Sequence, residues 1–96
     1  MNTDIINALK NLNVIELHYE GKLRVVEPHR YGKTTAGNEC LRAYQIGGYS
    51  SSGKLGWKMY DLEKISDIII SDQTFDGPRE DYKHGDKNMP TIYAEL

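Results

Sequence analysis

The sequence predicts a mainly β domain of the α+β class: a small, partly open antiparallel barrel of about five strands, capped by one N-terminal helix and followed by an extended tail. Three observations carry that prediction. Apolar residues recur at helical spacing only near the start, the segments with strand character are short, and the connections between them are hairpin-sized. Parallel sheets need longer, helical crossovers. A chain of 96 residues allows one domain with one modest core. The expected division is a helix over 1–12, a barrel over 13–74 and an extended tail over 75–96.

Thr3 is a suitable N-cap, Asp4 complements the helix dipole, and Ile5, Ile6, Ala8, Leu9 and Leu12 form an apolar stripe, so the first element is a helix ending near Leu12. From Val14 to Tyr19 the residues alternate, with Ile15, Leu17 and Tyr19 on one face. Glu20-Gly21 then offers a tight turn, and the return strand runs from about Lys22 to Glu27. Pro28 has no N–H to donate and is expected at an edge, bend or strand end. A polar, glycine-punctuated connection over 32–38 leads to a third strand, roughly Glu39 to Ile46, whose two faces are both mixed. The Gly- and Ser-rich stretch from Gly47 to Gly56 reads as a flexible loop. Trp57 to Tyr60 and Ile65 to Ile70 supply two more strands around a turn or short helical piece at 62–64. Beyond Phe75 the chain is polar and expected to be extended, anchored at Tyr82, Met89, Ile92 and Tyr93.

Composition narrows the function classes. Apolar residues make up 39% and charged residues 27%, which is ordinary globular composition. No apolar run reaches the roughly 20 residues that span a bilayer, and the opening Met1-Asn2-Thr3-Asp4 lacks a basic region followed by an apolar stretch. No membrane association and a cytoplasmic location are therefore expected. The net charge of −2 gives no overall basic field, so any anion site must be a local cluster. Cys40 is the only cysteine; it suits a reducing compartment and reads as a buried structural thiol.

Catalytic motifs find no support. Gly48-Tyr49-Ser50-Ser51-Ser52-Gly53-Lys54 has phosphate-loop spacing, but Leu55 follows where a magnesium-binding hydroxyl is required, and a strand follows where a helix N-terminus is required. His18, His29 and His84 are not spaced as metal ligands on one element and read as surface or rim residues. The chain is expected not to be an enzyme and to need no cofactor or metal. What remains is a set of cationic and aromatic side chains on the strands, including Arg24, His29, Arg30, Arg42, Tyr44, Trp57, Lys58 and Tyr60. Arginine forks bind phosphate or carboxylate, and neighbouring rings stack bases. The plainer account makes the aromatics core and pairs the cations with Glu16, Glu27 and Glu39.

Arg24-Val25-Val26-Glu27-Pro28-His29-Arg30, then Leu41-Arg42-Ala43-Tyr44-Gln45, then Gly56 to Ile65 resemble, in order and spacing, the successive blocks of WYL domains. The likeness covers roughly residues 12–72. Phe75, Pro78-Arg79, Tyr82 and Gly85-Asp86-Lys87 resemble the tail of short stand-alone members. The Trp-Tyr-Leu tripeptide itself is absent, with Cys40-Leu41-Arg42 near its place. The resemblance implies an Sm-like or SH3-like barrel that senses a ligand in bacterial transcription or phage-defence regulators. It also implies a basic groove lined by Arg24, Arg42 and Lys58, extending to His29, Tyr44 and Gln45, with Glu27 and Pro28 structural.

The leading expectation is thus a regulatory or sensor module whose basic and aromatic groove binds a nucleotide, an oligonucleotide or a similar anion. The alternative is a protein-interaction module acting through barrel edges or the C-terminal tail. Compatible partners are an anionic ligand, a regulatory protein and a second copy of the chain.

Overall fold

Asn2, rather than Thr3, caps the helix. In the computed structural model, which describes residues 1–84 and 88–96, helix α1 spans Thr3–Asn11, and the Asn2 side chain accepts from the N–H groups of Asp4 at 2.9 Å and Ile5 at 3.1 Å. Asn2 is the last residue in extended conformation, so its side chain is the one able to fold back onto the free amides of the first turn. Leu12 ends the helix in the left-handed region (φ 56).

Six strands follow among the described residues: β1 Asn13–Tyr19, β2 Lys22–Lys33, β3 Glu39–Gly48, β4 Gly56–Asp61, β5 Ile65–Thr74 and β6 Thr91–Glu95, with a short 3₁₀ helix over Leu62–Lys64 between β4 and β5. They form one antiparallel, open sheet in the order β4-β3-β2-β1-β5, with β6 added to β2. Helix α1 packs its buried Ile5, Ala8 and Leu9 onto β1, β2, β5 and β6. Beneath it Ile15, Leu17, Val26, Leu41 and Ala43 are fully buried. Among the described residues no helix is long and apolar enough to cross a membrane.

Two local features set the sheet's shape. Glu20 (φ 52) and Gly21 (φ 78) both take positive φ, the paired left-handed turn whose twist matches that of β1 and β2. β2 is twice the expected length. Residues 22–26 pair with β1 and residues 30–33 with β6 along the same edge. Pro28 lies at the change-over, where the register with β3 slips between Pro28 and Arg30. A bend of this kind accommodates a residue without an N–H, so the strand continues past Pro28 instead of ending near Glu27. The tail adds a strand to the expected set because Gly32 lets it approach: a Cβ on Gly32 would lie 2.0 Å from the Thr91 carbonyl oxygen. Gly85-Asp86-Lys87, part of the family resemblance, lie outside the described residues.

Candidate functional site

Directly opposed residues of an antiparallel pair share a face, and the register divides the six candidate residues between two faces. Tyr44 opposes Trp57 and Arg42 opposes Met59, whereas Gln45, Ala43 and Leu41 oppose Gly56, Lys58 and Tyr60. Ala43 and Leu41 belong to the core, so Gln45, Lys58 and Tyr60 lie on the inner face. Arg24 opposes core Leu17 and joins them. The register slip between Val25 and Val26 leaves Ile46 as the extra residue of β3; Gln45 thereby opposes Val26 and shares the face of Arg24. Arg42, Tyr44 and His29 are on the outer face. The single groove expected from the sequence is corrected to two clusters, separated by the thickness of the sheet.

On the inner face Arg24 is only 7% exposed. One guanidinium nitrogen, Nη2, donates to the Tyr19 carbonyl at 3.3 Å, and the group lies 5.6 Å from the Tyr19 ring centre and 5.3 Å from that of Tyr49. Its Nε has no hydrogen-bond partner. No carboxylate of the described residues pairs with it. The buried Gln45 amide donates to the carbonyls of Gly47 at 2.9 Å and Tyr49 at 2.8 Å, leaving its own Oε1 unpartnered. The Tyr60 hydroxyl is likewise buried and unpartnered, and desolvation pushes its pKa up to about 12. The Tyr60 ring meets Tyr19 edge-on at 5.0 Å. Lys58 is half-buried, its Nζ 3.3 Å from Ser50 Oγ. Tyr49, 43% exposed, forms the solvent side of the cluster.

On the outer face His29 is completely buried, which corrects the expectation of a rim histidine; His18 and His84 do have exposed side chains. Its ring contacts Trp57, Phe75 and Tyr82 at 4.7, 5.8 and 5.1 Å. The backbone N–H of Arg79 donates to Nε2 at 3.0 Å, so Nε2 carries no proton and Nδ1–H donates to the Glu27 carbonyl at 2.9 Å. Arg79 also clamps the Glu27 carboxylate with bonds of 2.7 and 2.9 Å and lies 4.2 Å from the Tyr44 ring centre. Arg30 donates to Glu95 at 3.0 Å. Arg42 is half-buried beside Arg30 and Met59. The tail therefore covers this face, and its Glu27 and Arg30 charges are paired. Phe75, Arg79 and Tyr82 were expected only as tail residues; the one signal for them in the sequence is a cation set among aromatic rings in an otherwise polar segment.

Burial lowers the His29 pKa below its ordinary 6.5, against the smaller opposing pull of Glu27. The unfolded chain takes up this proton near pH 6.5 and the folded chain only at lower pH. Proton uptake below 6.5 then favours unfolding, so this contribution to stability is present above 6.5 and lost as pH falls from there toward the folded value. Denaturant midpoints measured between pH 7.5 and 5 should fall more steeply for the wild type than for His29→Gln. Parallel curves would exclude His29 as the cause.

Cys40 is buried, and desolvation raises its thiol pKa. Lys54 sits in an exposed turn over 50–54, held by Gly53 N–H to the Ser50 carbonyl at 3.0 Å, and β4 follows where a phosphate loop would have a helix. No group of three or more His, Cys, Asp or Glu among the described residues is arranged to hold a metal ion. No family model, curated protein or solved structure matches this chain.

Proposed function

We propose that the chain is a ligand-binding module that takes up an anion at the inner-face cluster of Arg24, Gln45, Lys58 and Tyr60. The observation that carries this reading is Arg24: a buried guanidinium without a carboxylate partner among the described residues and with an unsatisfied Nε. Burying a charge is costly unless it is paired and fully hydrogen-bonded. Glu27 and Arg30 meet that requirement within the fold; Arg24 lacks its counterpart. An incoming phosphate or carboxylate supplies the missing charge, Lys58 adds a second cation, and the unpartnered Tyr60 hydroxyl can donate to the anion, while Gln45 Oε1, an acceptor, suits an N–H or O–H on the rest of the ligand. The Tyr19 and Tyr49 rings beside Arg24 suit a ligand that joins the anion to a flat ring, as a nucleotide or the end of an oligonucleotide does.

The family resemblance adds the wider setting. On that basis the open sheet is an Sm-like or SH3-like barrel of WYL type, and ligand occupancy is read out by a regulatory partner in bacterial transcription or phage defence. Phosphate, adenosine monophosphate and a short single-stranded DNA, each titrated calorimetrically at two salt concentrations, test the binding reading. Binding should weaken as salt rises. Arg24→Met should cost about 1.5–3 kcal/mol of affinity, while leaving folding stability unchanged or higher, because an apolar chain of similar length removes an unsatisfied buried charge. Failure of all three probes to bind, or equal binding by the variant, rejects the site.

A further inference from the structure

β5 is an end strand. β1 occupies one of its edges, and no strand of the described residues pairs with the other. Such an edge directs backbone N–H and C=O groups outward and is a template for another strand. Its middle reads Ser66-Asp67-Ile68-Ile69-Ile70-Ser71-Asp72, which is complementary to itself in one antiparallel register. With Ile69 opposite its own copy, Ile68 meets Ile70, Asp67 meets Ser71 and Ser66 meets Asp72. Apolar side chains then face apolar ones, and every carboxylate faces a hydroxyl able to donate to it. Moving the register by two residues sets Asp67 against Ile69 or Ile68 against Asp72, so the self-matched register is favoured.

The outer surface supports the same pairing. Ile69 is 58% exposed and Leu23 41% exposed, and Glu16 lies between Ile69 and Val25 in the strand register. Asp67 lies 3.7 Å from His18 of β1 and in the matched register opposes Ser71, so no two carboxylates face each other across the axis. The β1–β5 register is regular from Asp67 to Ile70 and shifts on both sides, so the straight part of the edge is short. From this we infer that two copies of the chain associate through β5, related by a two-fold axis at Ile69, to give one sheet continuous across both. Each copy uses its β5 edge once, so the contact closes as a dimer instead of growing into a filament. A strand pair of this length buries less than the roughly 1,200–2,000 Å² of a stable interface, which makes the dimer reversible and concentration-dependent. This inference is independent of the Arg24 reading.

Sedimentation equilibrium over a concentration series tests it. The wild type should rise from the mass of one chain toward twice that mass, while Ile69→Lys, which sets two ammonium groups against each other on the axis, stays at the mass of one chain with an unchanged circular-dichroism spectrum. Ile69→Cys should form a covalent dimer on mild oxidation. The wild type, whose Cys40 is buried, and Leu55→Cys, in an exposed loop, should not. A wild type that keeps the mass of one chain throughout overturns the proposal. So does association of Ile69→Lys equal to that of the wild type, or cross-linking of Leu55→Cys as efficient as that of Ile69→Cys.

Discussion

Replacing Leu17 with Ala is expected to cost about 2–5 kcal/mol of folding stability. The side chain is fully buried at the centre of the core, where β1 lies between β2 and β5 and Leu17 opposes Arg24 on one side and Ile68 on the other. Backbone held on both sides cannot close over a cavity, so the loss combines the transfer free energy of the removed carbons with that of the space left behind. A loss of this size is a large part of the total stability of a small domain. Denaturant unfolding reads it directly: an unchanged midpoint would mean that Leu17 is not on the buried face.

Gly32→Ala is expected to detach β6 and to cost more than about 3 kcal/mol, at the upper end of single-substitution effects. The added carbon would lie 2.0 Å from the Thr91 carbonyl oxygen and 3.0 Å from the Ile92 Cα. Both belong to the backbone and cannot rotate aside. With β6 displaced, the Arg30–Glu95 pair and the bond from Leu96 N–H to the His29 carbonyl at 2.9 Å are lost as well. Amide exchange at residues 92–96 should lose its protection in the variant while β1 and β3 keep theirs. Retained protection at Leu96 would show that the sheet tolerates the methyl group.

The first five strands were legible, β2 only over its first half, because they carry alternation or β-branched runs, as in Ile15-Glu16-Leu17 and Ile68-Ile69-Ile70. β6 was not, because Thr91-Ile92-Tyr93-Ala94-Glu95 is a short segment whose strand state comes from docking onto β2. The mixed faces of β3 had a similar cause: the core covers one side and the tail the other, so both Ala43 and Tyr44 pack, and alternation alone does not show which face is inner. For the site, residue type pointed to Arg24, Lys58 and Tyr60, and the family resemblance added Gln45. Alternation along β3 already sets Gln45 apart from Arg42 and Tyr44, but that Lys58 and Arg24 share its face depends on the register with β4 and on Ile46 bulging out of the β3 ladder. No pattern in the sequence announces that slip. The role of Arg79 depends equally on pairing across the fold, since Glu27 lies far from it in the chain.

The shared edge of β2 also orders the folding process. Its first half is paired by β1, the immediately preceding segment, whereas its second half waits for a strand in which Ile92 must find Gly32. Hairpin closure is local and fast; closing so long a loop is entropically slower. While a nascent chain is being elongated, every strand up to β5 is available before β6 emerges. Over that interval residues 30–33 present an unpaired edge, and the partners of Arg30 and His29 in the final segment are missing. Emergence and docking of β6 is therefore the moment at which this half of the sheet becomes protected from pairing with other chains.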